Sequence, residues 1–211
     1  RRAAALGADA ALVVTPPYVR PTQAGLLAHY AAVAEEGALP VVMYNVPART
    51  GCDLQPDTVA GLLAHPRIIG VKEAVADPAR MARWLALRTE GFAVLSGDDA
   101  SAAAAMLDGA DGVISVVSNL VPGAMRRLCD LARAGRAAEA QEWNRALVPL
   151  HDFASVEPNP IPVKAVLALL GVGHGLRLPL TPLSATHQPA AAQIAAAAVS
   201  IEHGLRDAVA A

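Results

Sequence analysis

The stretch Ile68-Ile69-Gly70-Val71-Lys72 is a short apolar run that ends in a charged residue. Similar runs recur along the first 116 residues at intervals of about 20 to 29 residues, with amphipathic segments between them. Apolar strands that alternate with helices indicate parallel strands buried on both faces. The other predicted strands cover 11–15, 40–45, 93–97 and 112–116, and the predicted helices cover 23–36, 55–64, 78–87, 99–107 and 122–133.

Two α/β architectures fit this alternation: a (β/α)8 TIM barrel and an open doubly wound sheet. An open dinucleotide-binding sheet should carry a glycine-rich turn of the G-x-G-x-x-G type, and this chain has none. Polar and reactive residues instead follow the ends of successive strands, which is typical of a barrel. The sequence therefore predicts a (β/α)8 barrel, on the strength of Thr15, Tyr18, Tyr44, Arg49, Lys72, Glu73, Gly97, Asp98 and Ser115.

The predicted units account for only part of a barrel. Five βα units occupy 1–135, and a purely helical appendage with proline-rich joints occupies 136–211. The opening residues, 1–7, resemble the last turns of a helix closed by a glycine. We therefore expect roughly three further βα units, on the order of 80 to 90 residues, to precede this stretch in the native protein.

Composition excludes several classes of function. The formal net charge is -2 with a pI near 6.3, and no basic stripe predicts nucleic-acid binding. No apolar stretch reaches the length of a membrane span. Cys52 and Cys129 are too few and too far apart for a disulfide framework or a zinc site, which favours the reducing cytoplasm. We predict no metal, because no histidine cluster supports Asp98-Asp99 as ligands and Asp99 reads better as a helix N-cap.

Lysine is scarce here, since Lys72 and Lys164 are the only two among seventeen basic residues. A charged ammonium at the end of a core strand is costly unless the site uses it. A lysine amine in an apolar site can lose its proton and form a Schiff base with a carbonyl, which arginine cannot do. The alternative is a structural lysine that reaches solvent or pairs with Glu73. Lys164, in a predicted helix of the appendage, fits a surface or interface position better.

Five motifs in order carry a family resemblance: TPPYVRP over 15–21, YNVPARTG over 44–51, GVKEA over 70–74, LSGDD over 95–99 and EPNPIPVK over 157–164. Together they resemble 4-hydroxy-tetrahydrodipicolinate synthase, a pyruvate-dependent class I aldolase related to N-acetylneuraminate lyase. The resemblance runs through nearly the whole chain without large gaps. The chain departs from the family pattern because it lacks the Thr-Thr pair, which belongs to the first barrel strands and falls outside this chain.

The resemblance implies a lyase that condenses pyruvate with L-aspartate 4-semialdehyde in lysine and diaminopimelate biosynthesis. It implies that Lys72 forms the Schiff base with pyruvate and that Tyr44 relays protons beside it. Tyr18 would join that relay across a dimer interface, which implies a homo-oligomer built as a dimer of dimers. Arg49 would hold the carboxylate of the semialdehyde.

The same resemblance assigns two residues to the pyruvate site: Ile114 through its backbone carbonyl near the imine, and Gly97 by leaving room there. It implies no cofactor, because the lysine itself activates the ketone. Two alternatives stay open. A related aldolase, such as an N-acetylneuraminate or keto-sugar-acid lyase, would want hydroxyl-binding groups where Arg49 stands. A non-catalytic barrel fragment would lack activity altogether.

Overall fold

The computed structural model describes residues 1–173 and 175–210, with side chains described through residue 205. The chain divides into two compact units, Arg1–Ile114 and Ser115–Ala211. The first unit contains every strand found in the described residues, and the second is helical. The sequence-based division, which assigns 1–135 to the barrel units because the helix after the fifth strand belongs to its βα unit, stays a prediction.

Five parallel strands form one sheet in the first unit, and their order in the sheet follows their order in the chain. Neighbouring strands that are also sequential and parallel require a crossover helix between each pair, which is the repeating unit of a (β/α)8 barrel. The predicted fold class is confirmed for these five units. The strands are β1 (Ala11–Val14), β2 (Val41–Asn45), β3 (Ile68–Glu73), β4 (Ala93–Ser96) and β5 (Gly112–Val113).

The helices of the first unit lie near the predicted positions, but the helix predicted over 55–64 covers only Pro56–Ala60, and one helix is additional. The additional helix is a single turn, Pro47–Thr50, which periodicity cannot detect because it is too short. Proline at its first position and Gly51 at φ 68° after its end define its bounds. The helices are α1 (Arg2–Ala5), α2 (Gln23–Glu36), α3 (Pro47–Thr50), α4 (Pro56–Ala60), α5 (Pro78–Leu85) and α6 (Asp99–Leu107).

The strand register aligns one row of residues across the sheet. Val14 pairs with Tyr44, Tyr44 with Lys72, Lys72 with Leu95, and Leu95 with Gly112. Because side chains alternate along a strand, these paired residues share one face of the sheet and their neighbours share the other. The row therefore collects Tyr44 and Lys72 side by side near the carboxyl ends of their strands.

The fifth strand is shorter than the predicted 112–116. Ile114 still donates its backbone N–H to Ser96 at 2.9 Å, but the strand proper ends at Val113. The hydroxyl of Ser115 then accepts from the backbone N–H of Ser118 at 2.8 Å. This local bond turns the backbone and competes with continued strand pairing.

The second unit consists of four α-helices and two short 3-10 turns among its described residues. Glu202 of the last helix accepts a hydrogen bond from the backbone N–H of Ala124 at 2.9 Å, which satisfies a free donor at the start of another helix. No helix in the described ranges combines the length and apolarity needed to cross a bilayer. The α-helices are α7 (Pro122–Arg133), α8 (Ala137–Ala154), α9 (Ile161–Leu169) and α10 (Gln188–Ala210).

Candidate active site

Lys72 lies on β3 between its register partners Tyr44 and Leu95 and is only 9% exposed. Its Nζ is 4.1 Å from the centroid of the Tyr44 ring. A cation over an aromatic face at this distance is attracted by the ring quadrupole. The amine is therefore held against one wall of the site.

Besides the Tyr44 ring, two opposing influences act on the protonation of this amine. Burial lowers the pKa of Lys72 because the charged ammonium loses hydration, and the carboxylate of Asp99 partly opposes this by favouring the charged form. Burial is the larger influence. Lys72 is therefore easier to deprotonate than an ordinary lysine, as a nucleophilic amine requires.

Gly97 gives the Lys72 side chain its space. A Cβ added at Gly97 would lie 2.8 Å from the Cε and 3.0 Å from the Cγ of Lys72, and 3.1 Å from the Cβ of Ala74. Any side chain at this position would push Lys72 out of its present path. Gly97 also donates its backbone N–H to the backbone carbonyl of Glu73 at 2.7 Å, which ties the two strand ends together.

Tyr44 and Arg49 are brought together by the turn after β2. Tyr44 is half-buried in the strand, and Arg49 lies exposed on α3, which begins three residues later. Burial raises the pKa of the Tyr44 phenol, while the Arg49 guanidinium opposes that shift by favouring the phenolate. The phenol is therefore protonated at neutral pH and can act as a hydrogen-bond donor next to the amine.

A pair of buried hydroxyls anchors the loop that carries Tyr18. Thr15 donates to the hydroxyl of Thr50 at 3.1 Å, and Thr50 donates to the carbonyl of Cys52 at 2.9 Å. The backbone N–H of Tyr18 donates to the carbonyl of Thr50 at 3.1 Å. Thr50 was not singled out from the sequence, and its place in a motif next to a glycine was the only available signal.

Tyr18 and Ile114 lie at the margins of this arrangement. The side chain of Tyr18 is 92% exposed, on a loop where its own φ is 73°. Ile114 directly follows β5 and is 36% exposed. The structure thus brings Lys72, Tyr44 and Gly97 together, with Arg49 beside Tyr44, whereas the Tyr18 side chain extends into solvent. The predicted roles of all six residues stay predictions.

The helix N-cap prediction was one residue off. Asp98, not Asp99, is the N-cap of α6: its carboxylate accepts from the backbone N–H of Ser101 at 2.9 Å and its backbone is extended. Asp99 is the first helical residue. In a pair of adjacent aspartates, only the residue with non-helical backbone dihedrals can cap, and sequence alone does not reveal which one that is.

The predicted alternative pairing of Lys72 with Glu73 is also wrong. Glu73 is fully buried, and its carboxylate forms an ion pair with Arg80 at 2.8 Å. Adjacent residues in a strand point to opposite faces, so Glu73 faces away from Lys72. Sequence reasoning missed the polar residues around Glu73 because they come from separate segments.

Within residues 1–173 and 175–210, no group of three or more His, Cys, Asp or Glu side chains is placed to hold a metal ion.

The chain was compared with known proteins. Residues 1–198 match the model of the dihydrodipicolinate synthetase family. A 4-hydroxy-tetrahydrodipicolinate synthase from Xanthomonas campestris pv. campestris is 64% identical over 202 residues, a match that covers 96% of this chain and 67% of the relative.

Two solved structures extend the comparison. The chloride-inhibited dihydrodipicolinate synthase of Acinetobacter baumannii, in complex with pyruvate, superposes with a TM-score of 0.89 at 45% identity, covering 93% of this chain and 68% of that one. A monomeric dihydrodipicolinate synthase variant superposes with a TM-score of 0.88 at 41% identity, covering 93% and 67%. This chain therefore spans about two thirds of the length of its relatives.

Proposed function

Because the chain belongs to the dihydrodipicolinate synthetase family, we propose that it condenses pyruvate with L-aspartate 4-semialdehyde to give 4-hydroxy-tetrahydrodipicolinate, in lysine and diaminopimelate biosynthesis. The observation that carries the proposal is a buried lysine of lowered pKa whose amine lies 4.1 Å from the centroid of a tyrosine ring. These residues lie in the motifs that resemble the family's reactive positions.

The proposed reaction begins at Lys72. Its neutral amine adds to the keto carbon of pyruvate, a C–N bond forms, and water leaves to give an imine. The imine withdraws electrons, so a proton leaves the adjacent methyl group and an enamine results. The enamine carbon then bonds to the aldehyde carbon of the semialdehyde, whose oxygen takes up a proton and becomes a hydroxyl group, while the imine to Lys72 forms again. The amino group of the semialdehyde finally displaces Lys72 as the ring closes.

Tyr44 and Arg49 have separate proposed roles in this sequence. Loss of water and formation of the enamine both need proton transfers, which a protonated phenol beside the amine is suited to relay. Arg49 would bind the semialdehyde carboxylate through its paired donors. Its exposed position on α3, near Tyr44, supports an acidic substrate over a sugar-derived one. Gly97 and the carbonyl of Ile114 would border the bound pyruvate.

We further propose that the protein acts in the cytoplasm as a homo-oligomer, a dimer of dimers. Cys52 and Cys129 are both free thiols, which fits a reducing compartment. The exposed ring of Tyr18 supports a role at a subunit interface, since an apolar ring at this position would be covered by a partner. No metal or cofactor is part of this proposal.

Trapping with borohydride tests the proposed function. The chain is incubated with pyruvate, the imine is reduced to a stable amine, and the modified residue is located by intact mass and peptide mapping. We expect one adduct, on Lys72, and none in Lys72→Arg. Lys164→Arg is the matched control and should react like the unaltered chain. An adduct on Lys164, or on both lysines equally, would contradict the assignment, and no adduct would favour the non-catalytic alternative.

The choice of aldehyde is tested separately. With pyruvate present, the rate of product formation from aspartate semialdehyde should exceed that with a sugar aldehyde by orders of magnitude. Arg49→Ala should raise the KM for the semialdehyde without abolishing the pyruvate adduct. Equal use of both aldehydes would favour a sugar-acid lyase.

A further inference from the structure

A buried polar cluster lies beneath the strand ends that carry Lys72 and Tyr44. We define this clamp cluster as Asn45, Asp53, Glu73 and Arg80. The centre of the cluster is the Glu73 carboxylate, which is 0% exposed. Four groups donate to it: Arg80 Nε at 2.8 Å, Trp84 Nε1 at 2.6 Å, the Val75 backbone N–H at 2.8 Å and Asn45 Nδ2 at 3.1 Å.

Arg80 links this carboxylate to a second one. Its two Nη atoms donate to both oxygens of Asp53, at 2.7 and 3.1 Å, and Nη2 also donates to the carbonyl of Leu54 at 2.6 Å. The Arg80 side chain is only 11% exposed. One guanidinium therefore holds two carboxylates in a fixed geometry, which its planar set of donors makes possible.

Asn45 closes the cluster across two strands. Its Nδ2 donates to Asp53 at 3.0 Å as well as to Glu73, and its Oδ1 accepts from the backbone N–H of Leu54 at 2.9 Å. Asn45 and Glu73 are register partners on β2 and β3. Each directly follows a member of the site, because Tyr44 precedes Asn45 and Lys72 precedes Glu73.

Side-chain alternation turns this arrangement into a clamp. Asn45 and Glu73 are joined on one face of the sheet, so the strand ends cannot slide without breaking buried hydrogen bonds. On the other face, the same strand ends present Tyr44 and Lys72. The bond between Asn45 and Glu73 therefore also fixes the distance between Tyr44 and Lys72.

We propose that the clamp cluster positions the Lys72 amine against Tyr44, with Asn45 and Glu73 as positioning residues for formation of the pyruvate imine. The inference rests on the proposed function. None of the four residues contacts the reacting atoms. Their effect passes through the backbone of β2 and β3, and a displacement of about 1 Å caused at a distance from the reacting atoms can cost about 100-fold in rate.

The experiment uses the full chain and measures the rate of borohydride-trapped pyruvate adduct on Lys72 per folded molecule. Glu73→Gln nearly keeps the shape of the side chain but removes the charge that Arg80 binds. Asn45→Leu, a second variant of similar size, removes the bond between the strands. Each is made with Tyr44 present and in a Tyr44→Phe background. Arg83→Gln is the control. Arg83 lies on α5, the helix that also carries Arg80, and its ion pair with Asp57 is exposed.

We expect Glu73→Gln and Asn45→Leu to slow adduct formation at least about tenfold when Tyr44 is present, and about twofold or less in the Tyr44→Phe background. Arg83→Gln should react at the unaltered rate. If the two residues only stabilised the fold, their replacement would lower the folded fraction equally in both backgrounds. Expressing the rate per folded molecule removes that effect. Folding is checked by circular dichroism for every variant.

Two results would overturn the inference while leaving the proposed function intact. In the first, Glu73→Gln and Asn45→Leu react at nearly the unaltered rate per folded molecule. In the second, both variants are slowed equally whether Tyr44 is present or replaced by phenylalanine. If the unaltered chain gives no adduct on Lys72, the proposed function fails and the inference fails with it.

Discussion

At Lys72, burial and one nearby carboxylate act on the same proton in opposite directions. Burial removes hydration from the ammonium, and Asp99 restores part of the stability of the charged form. In the proposed reaction, the reactive species is the neutral amine, whose fraction rises with pH. A pKa below the ordinary 10.5 therefore moves the rise in reactivity to lower pH.

The first prediction concerns this pH dependence. The rate of pyruvate adduct formation should rise with pH and reach half its maximum below pH 10.5. Asp99→Asn removes the carboxylate that favours the ammonium, so its midpoint should lie lower still. The control is Asp108→Asn, an exposed aspartate just after the end of α6. A higher midpoint in Asp99→Asn would contradict the assigned influence of Asp99.

Gly97 offers a second test at the residue scale. In Gly97→Ala, the new Cβ would meet Lys72 Cε at 2.8 Å, so the flexible lysine must move. We expect adduct formation to slow by about 10- to 100-fold, because small displacements of a nucleophile are costly. The free energy of unfolding should also fall, by about 1 to 3 kcal/mol, because the new Cβ would lie 3.1 Å from the Cβ of Ala74, which cannot move without its backbone.

The matched control for this test is Gly91→Ala, where an added Cβ would meet nothing within 4 Å. Both variants are measured by trapping and by urea denaturation. An unchanged trapping rate in Gly97→Ala would mean that Lys72 does not need its present path.

Among the elements, β3 and α5 are joined by the buried ion pair of Glu73 and Arg80. Replacing Arg80 with methionine would leave the Glu73 carboxylate buried without its cation. Breaking a buried pair in this way typically costs about 3 to 5 kcal/mol, far more than losing an exposed pair. Arg83 offers the contrast on the same helix, since its side chain is 52% exposed and its partner Asp57 is 87% exposed.

We therefore predict that Arg80→Met lowers the free energy of unfolding by roughly 3 kcal/mol or more, whereas Arg83→Met changes it by about 0.5 kcal/mol or less. Urea denaturation followed by circular dichroism measures both, with the midpoints compared at a common slope. Similar losses in the two variants would mean that the buried pair contributes little beyond the packing of its side chain.

For the whole molecule, the open question is assembly. Tyr18 and Val19 are 92% and 68% exposed on one loop, and aromatic rings of this kind often anchor interfaces. The monomeric variant that superposes on this chain makes subunit association a property to be measured.

We predict that the chain self-associates and that Tyr18→Asp shifts it toward monomer, because a charge would be buried at the contact. Sedimentation velocity at several concentrations measures the shift. Leu6→Asp is the control, since Leu6 is 79% exposed outside that loop. A monomeric unaltered chain, or equal behaviour of the two variants, would contradict an interface at Tyr18.

Much of the fold could be predicted from the pattern of apolar runs. Helices α2, α6 and α7 begin and end at the predicted residues, because each starts at a clear signal: a threonine or aspartate just before the first helical residue, or a proline at it. The single turn of α3 and the early end of β5 were not predictable, since a few local hydrogen bonds decide them. Only the tertiary structure shows which of Asp98 and Asp99 caps α6.

By itself, the sequence determined the five βα units and the family, and it proposed Lys72 as the reactive lysine, because periodicity and short motifs are local properties of a chain. The tertiary structure alone decided which side chains contact one another in and around the site. It assigned Glu73 to Arg80 and left Lys72 facing Tyr44. The physical reason is that strand register and side-chain alternation join residues distant in the sequence and separate adjacent ones.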